Sequence, residues 1–210
     1  SFFHKVIKSV NDCFKLGNDI EITLEANPND LTLQNLKDLK KSGVNRISIG
    51  VQSFHDYELK MMNRIHNSNQ GLKAIEWTSK VFDNFSVDLI YGLPKSNIST
   101  WAHNLDILTS FNPPHISSYA LTVEPKTVLF RQVDKGDIKL LDEEAVQLQY
   151  DLLTSRLEKE AYINYEFSNF GKIGFHSVNN SNYWNGKPYL GIGPSAHSYD
   201  GHRVRSWNIS

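Results

Sequence analysis

Cysteine is almost missing from the chain, which contains only one, Cys13, among its 210 residues. A single cysteine excludes an internal disulfide, so a reducing cytoplasm is the expected setting. One cysteine also cannot build a cysteine-ligated metal site. We therefore expect Cys13 to pack as a small hydrophobic side chain.

Excess charge of either sign and long apolar runs are missing as well. The 22 basic and 23 acidic residues give a net charge of −1, which offers no electrostatic attraction to nucleic acid or to an anionic membrane. No apolar run approaches the roughly 20 residues that a membrane helix needs, so any membrane contact is expected to be peripheral at most. Hydrophobic residues at 40% and charged residues at 21% are typical of a globular protein.

The chain also has no initiator methionine. Its first stretch, SFFHKVIKSVNDCFKL, has Phe3, Val6, Val10 and Phe14 near helical spacing and predicts an amphipathic helix at once. This abrupt start favours an N-terminally truncated fragment.

Strand-like and helix-like segments alternate along the rest of the chain. Strands are predicted over 19–28, 44–54, 85–94, 113–125 and 162–170. Helices are predicted over 29–43, 55–66, 68–82, 99–111 and 142–161, the fourth with Ser99 or Thr100 as its N-cap. This alternation indicates βα units and a mainly parallel sheet, so the fold class is α/β with a barrel-like arrangement.

Polar residues recur where the predicted strands end, which is where such folds place their working side chains. Taken singly, each has a purely structural explanation. Glu25 could be a solvent-exposed strand end, Gln52 an amide hydrogen-bonded in a turn, and Asp88 a carboxylate hydrogen-bonded to a loop. Asp88, however, interrupts an apolar strand and needs a definite partner, and the guanidinium of Arg64 suits a carboxylate ligand. The set fits a small zwitterion bearing a ribose.

The segment GIGPSA, Gly191–Ala196, matches a dinucleotide-binding pattern only in its letters. That pattern needs a following helix, which Pro194 and the SYDGH turn interrupt, so a tight turn is predicted instead. His197 and His202 have no third ligand nearby, and no G-x-S-x-G elbow is present. No metal site and no hydrolase triad are predicted.

An ordered set of motifs carries a family resemblance across about residues 20–208. The motifs are LEANP, GVNRISIGVQSF, MNRIH, VDLIYGLP, ISSYALTVEP, YEFSNF and NYW…YLGIGPSAHS. In this order they resemble the oxygen-independent coproporphyrinogen III oxidase family of the radical S-adenosylmethionine (SAM) superfamily. GVQS, YEFSNF and YW…YLGIG resemble its haem chaperone branch.

The resemblance implies a partial (β/α)6 TIM-like barrel that lacks its first strand and leads into a C-terminal accessory domain. Residues 1–165 would form the partial barrel, and 166–210 the end of the barrel and the start of the accessory region. The implied cofactors are SAM and a [4Fe–4S] cluster held by a C-x3-C-x2-C loop. That loop is absent, so this chain by itself is expected to be inactive.

The resemblance also implies roles for individual residues. Glu25, Gln52, Arg64 and Asp88 match positions that contact SAM. The remaining implied contacts are Ala120, through its backbone, and His197.

In the chaperone branch an H-N-x-x-Y-W motif supplies a proposed haem contact. Here Asn179 stands in place of that histidine, and Asn is not a normal ligand of haem iron. His176 is the possible substitute, and Tyr183 and Trp184 are either porphyrin-stacking or core aromatics.

Three functions stay open on the sequence. The first is a haem chaperone, with haem or a porphyrinogen, an electron donor and a haem-accepting protein as its partners. The second is an oxidase that decarboxylates coproporphyrinogen III oxidatively, and the third is a non-catalytic binding module without a cluster.

Overall fold

A computed structural model describes residues 2–202 and 205–207, the last three as backbone only. The described chain divides into two compact units, one ending at Phe175 and the other beginning at His176. No helix within these residues is both long enough and apolar enough to cross a membrane.

The first unit is built on one sheet. Its strands are β1 (Thr23–Ala26), β2 (Arg46–Gln52), β3 (Phe85–Tyr91), β4 (His115–Ala120), β5 (Ile163–Asn164) and β6 (Asn169–Gly171). The spatial order is β1-β2-β3-β4-β6-β5. Strands β1 to β4 are parallel to one another, whereas β6 runs antiparallel to both β4 and β5. The predicted α/β class with a mainly parallel sheet is confirmed.

Seven helices and one short 3-10 turn, Pro28–Asp30, accompany this sheet in the described part of the first unit. The helices are α1 (Phe2–Phe14), α2 (Leu33–Lys41), α3 (Asp56–Met61), α4 (Ser68–Ser79), α5 (Ile98–Phe111), α6 (Val128–Asp134) and α7 (Glu143–Lys159). α6 was missing from the sequence prediction. The N-cap of α5 is Asn97, not Ser99 or Thr100, because the Asn97 side chain accepts from the backbone of both residues.

The strands carry different chemistry on their two faces because side chains alternate along a strand. Ile47, Ile49 and Val51 of β2, with Val87 and Leu89 of β3, are fully buried in the apolar core. The helices complete that core with Trp101, Leu105, Leu108, Leu153 and Leu157. The opposite face of the sheet carries polar residues: Arg46, Ser48, Ser86, Asp88, His115 and Ser117.

Two further predictions in the first unit are wrong. The segment 162–170 is not one strand but the two short antiparallel strands β5 and β6. Side chains close the turn between them: Asn164 donates to the Asn169 carbonyl, and Glu166 accepts from the Ser168 amide. Cys13 does not pack in a core, because it is exposed on α1, a helix with no fully buried residue.

The second unit contains α8 (Val178–Trp184), β7 (His197–Tyr199) and β8 (Arg205–Trp207), of which β7 and β8 pair antiparallel. The segment Gly191–Ala196 turns the chain back into strand β7, whereas a dinucleotide fingerprint requires a helix there. A Cβ on Gly191 would lie 2.2 Å from the carbonyl oxygen of His197, so only glycine allows this close approach.

Candidate functional site

A mostly polar cavity of about 330 Å³ lies where β1, β2 and β3 end. It is lined by Glu25, Ala26, Asn27, Ser48, Gly50, Gln52, Arg64 and Asp88. Parallel strands direct their carboxyl ends to one edge of a sheet, and ligands bind there in open α/β folds. Four of the side chains predicted to contact a cofactor, namely Glu25, Gln52, Arg64 and Asp88, therefore meet in one place.

Arg64 reaches the cavity from the loop that follows α3. Its Nη2 atom donates to Asn27 Oδ1 at 2.7 Å and to the Gly50 carbonyl at 3.1 Å. The loop is held by His66, which is buried and lies 3.0 Å from the Val51 carbonyl through its Nε2 atom; burial lowers the pKa of His66. Within residues 2–202 no carboxylate forms an ion pair with Arg64, so the guanidinium remains available to an anionic ligand.

Gln52 enters the cavity through an irregular end of β2. The register with β3 shifts between Ile49 and Gln52, and Gln52 itself has φ of 69°. Residues other than glycine seldom occupy this left-handed region, and such strain clusters at functional sites. Gly50 leaves room for the side chains that enter the cavity, since a Cβ there would lie 2.8 Å from Gln52 Nε2 and 3.2 Å from Arg64 Nη2.

Replacing Gln52 with glycine tests this strain. Because glycine adopts positive φ without steric cost, we expect the free energy of unfolding to rise by about 0.5–1 kcal/mol even though the cavity loses its amide. Urea denaturation of the variant and the parent protein measures the difference. A loss of stability would show that side-chain contacts of Gln52 outweigh its backbone strain.

Asp88 lies on the polar face of β3 and is partly accessible from the cavity. Ser48 Oγ lies 3.0 Å from its Oδ2 atom, and Ser86 Oγ lies 3.1 Å from its Oδ1 atom. Burial raises the pKa of Asp88 to about 6, against the opposing effects of the hydroxyls of Ser117, Ser48 and Ser86 and of the Arg46 charge. The partner that the sequence required for this carboxylate is thus a set of serine hydroxyls.

The other predicted contact residues lie elsewhere. Ala120 lines a different cavity, of about 450 Å³, together with Tyr91, Tyr150 and Phe167. His197 is an exposed residue of β7 in the second unit. The predicted roles of Ala120 and His197 stay predictions.

The predicted haem-contact residues all belong to the second unit. His176 precedes Ser177, the N-cap of α8, and Asn179 is exposed within that helix. Tyr183 and Trp184 end the helix with exposed fractions of 50% and 60%. This exposure contradicts their reading as core aromatics, and the Tyr183 ring makes an edge contact with the ring of Tyr189 at 4.6 Å.

Sequence reasoning overlooked the polar residues that face Asp88 from the neighbouring strands. Ser48 pairs in register with Ser86, and Ser117 pairs with Asp88, so these side chains share one face. The signal was present as alternation: polar residues stand two positions apart at Arg46 and Ser48 of β2, Ser86 and Asp88 of β3, and His115 and Ser117 of β4.

The described residues fit an adenosyl ligand but not an iron–sulfur cluster. The cavity offers an unpaired guanidinium and carboxylates to an amino acid and a ribose. Cys13, the one cysteine of the chain, is on α1, and no group of three or more His, Cys, Asp or Glu in the part of the chain that the structure describes has metal-binding geometry. A cluster therefore has no ligand set among these residues.

Comparisons with known proteins match most of this chain. Residues 3–108 match the family model of the Radical SAM superfamily. Heme chaperone HemW of Bacillus subtilis is 37% identical over 199 residues, covering 94% of this chain and 52% of the relative. Radical S-adenosyl methionine domain-containing protein 1, mitochondrial, of Danio rerio is 36% identical over 193 residues, covering 91% and 44%. The chain spans about half the length of the curated relatives it matches.

Among solved structures, coproporphyrinogen III oxidase (HemN) from Escherichia coli, described as a radical SAM enzyme, has a TM-score of 0.77 at 23% identity. The match covers 94% of this chain and 48% of that one, and it shows a shared fold. With the superfamily model matched over the strands and helices that build the cavity, the chain belongs to the radical SAM superfamily.

Proposed function

We propose that the cavity formed by Glu25, Gln52, Arg64 and Asp88 binds SAM. The observation that carries this proposal is the meeting of these four side chains at the carboxyl edge of a radical SAM sheet. The Arg64 guanidinium suits the ligand carboxylate, and the Glu25 and Asp88 carboxylates suit its ammonium and hydroxyl groups. When bound, SAM supplies the radical chemistry for which the superfamily is named.

For the full-length protein we infer a haem chaperone. Support comes from the relatives named heme chaperones, which match nearly the whole of this chain. Tyr183 and Trp184 present exposed aromatic surface in the second unit, as stacking on a porphyrin requires. Asn179 stands where the motif usually has a histidine, so His176 is the candidate axial ligand of the haem iron.

The same proposal assigns the cluster to cysteines outside these 210 residues, since Cys13 is the only one in the chain. The chain alone would then be inactive. An electron donor and a haem-accepting protein complete the proposed partners, and a cytoplasmic setting fits the single exposed cysteine.

A second candidate is an oxygen-independent coproporphyrinogen III oxidase. The favouring observation is the structural match to the enzyme of that name, with its TM-score of 0.77. At 23% identity this match carries the fold alone, whereas the relatives at 36–37% identity are named for haem or for the SAM domain. The chaperone is therefore the first proposal.

Anaerobic assays on the full-length protein decide between these functions. We expect SAM to bind in calorimetric titrations, and haem to give a Soret shift that Trp184→Leu weakens. We also expect no conversion of coproporphyrinogen III. Conversion to the decarboxylated product would overturn the chaperone proposal in favour of the oxidase. An absence of cluster assembly and of SAM binding would leave the non-catalytic binding module.

A further inference from the structure

A chain of hydrogen-bonding side chains runs from the cavity to the far edge of the sheet. We propose that three of these side chains form a positioning relay that keeps the Asp88 carboxylate ionised and oriented toward the bound ligand. The relay residues are Ser86 of β3, His115 of β4 and Tyr165 of the turn between β5 and β6. This inference deepens the proposed SAM site and rests on it.

The relay is continuous in the structure. Tyr165 Oη lies 2.8 Å from His115 Nε2, and His115 Nδ1 lies 2.8 Å from Ser86 Oγ. Ser86 Oγ in turn lies 3.1 Å from Asp88 Oδ1. Each separation falls within normal hydrogen-bond range, so the four groups are connected without a gap.

The number of protons on each group determines which relay residue donates and which accepts in each hydrogen bond. Ser86 Oγ lies 3.1 Å from both Asp88 Oδ1 and Ser117 Oγ; in the relay its single hydroxyl proton is donated to ionised Asp88, which only accepts, and the Ser117 hydroxyl is a donor. His115 Nδ1 must then carry a proton and donate to Ser86 Oγ. In the neutral ring Nε2 is left as an acceptor, and Tyr165 donates to it. Every donor in the relay therefore points toward Asp88, and aligned donors strengthen one another in a medium of low dielectric constant.

Burial shows that the relay does more than fill space. Ser86 and His115 are both 0% exposed, and they occupy paired positions in the β3–β4 register. Buried polar groups at such positions are stabilising only when they are hydrogen-bonded, and an apolar pair would fill the same space without that requirement. The residues therefore indicate a task for which the polar groups themselves are needed.

The charges around Asp88 show why its carboxylate needs hydrogen-bond donors to stay ionised. Burial favours its neutral form, which accepts hydrogen bonds from ligand hydroxyls less well than the carboxylate does. The titratable and charged groups around it are Glu25 and Arg64, which line the same cavity, Arg46 and Tyr119, which interact with its charge, and His115 and Tyr165, which are connected to it through Ser86. Arg46 is 3.9 Å from Glu21, which offsets part of its charge, and Arg64 bonds to Asn27. Neutral donors must therefore supply much of what keeps the carboxylate ionised.

His115→Phe in the full-length protein interrupts the relay at its centre. We expect calorimetric titrations between pH 5 and 8.5 to show SAM affinity reduced about twofold at pH 7 and close to tenfold at pH 5, because the variant no longer supports the ionised form of Asp88, whose pKa is about 6 in the parent protein. The pH at which half of the affinity is lost should rise by about one unit. Tyr165→Phe should shift it in the same direction by less, and His115→Gln, which retains a donor and an acceptor, should restore part of the effect.

Tyr162→Phe is the matched control. Tyr162 lies three residues from Tyr165 and also donates one hydrogen bond, but to the Pro113 carbonyl and not to the relay. Its loss should lower stability without moving the pH profile. Equal shifts of the profile in Tyr162→Phe and Tyr165→Phe would overturn the relay, because a merely structural role predicts that equality.

A measurement on the protein without SAM tests the relay separately from the proposed SAM site. Carbon-13 NMR of aspartate carboxyl groups in the full-length protein without SAM should show Asp88 titrating at higher pH in His115→Phe. Nitrogen-15 shifts should place the proton of the parent His115 on Nδ1. An unchanged Asp88 titration overturns the relay. If SAM fails to bind the parent protein at any pH while the titration shifts, the relay stands and the SAM site falls.

Discussion

Replacing Arg64 with alanine is expected to weaken SAM binding to the full-length protein about 100-fold, or roughly 3 kcal/mol, without unfolding it. The guanidinium is the one cation among the residues that line the cavity. It is already oriented by Asn27 and the Gly50 carbonyl, so little side-chain entropy is lost when a ligand binds. Calorimetric titration with SAM gives the affinity, and thermal unfolding checks the fold.

Two further variants make the Arg64 result interpretable. Arg64→Lys keeps the charge but not the planar fork, so it should recover only part of the affinity. Arg156→Ala removes an arginine that pairs with Asp106 at 2.7 Å between α7 and α5, away from the cavity. It should leave SAM affinity unchanged. If Arg64→Ala and Asp88→Ala both bind SAM as tightly as the parent protein, neither residue belongs to the site.

Much of the sheet was predictable because its signals are local. Runs such as those around Ile47 and Val87 are apolar and bounded by turn residues, and each formed a buried parallel strand. The position of a polar residue at the end of such a strand then predicts where it points. Gln52 lines the cavity for that reason, whereas Arg64 reaches it from a separate loop.

The parts of the fold and site that the sequence did not predict depend on contacts between residues far apart in the chain. Nothing local to Ser86 indicates that it faces His115, because the β3–β4 register is decided by packing across the sheet. The segment around Tyr165 reads as a strand by composition, but its polar side chains bond to the backbone and fold it into a hairpin. The relay to Asp88 was hidden because it requires both the register and this hairpin.

Asp88→Asn is expected to make the full-length protein more stable at neutral pH while weakening its binding of SAM. The native pKa of Asp88 is about 6, above the value of roughly 3.9 for an aspartate in an unfolded chain. The native state therefore holds its proton more tightly than the unfolded state does. Below about pH 4 both states are protonated and burial of Asp88 costs no ionisation energy. As pH rises through 6 that cost develops fully, whereas the uncharged amide of the Asp88→Asn variant never incurs it.

The test is the difference in the free energy of unfolding between Asp88→Asn and the parent protein, measured by urea denaturation across this range. The stabilisation should be about 1–2 kcal/mol larger at pH 8 than at pH 5. Asp142→Asn, which keeps an N-cap acceptor for the Ala145 amide, should show a small and nearly constant difference. A stabilisation that does not grow with pH would mean that the native pKa of Asp88 is not raised above its value in the unfolded chain. If the stabilisation grows with pH and the variant also loses SAM affinity, Asp88 is a carboxylate that serves ligand binding at a cost in the stability of the fold.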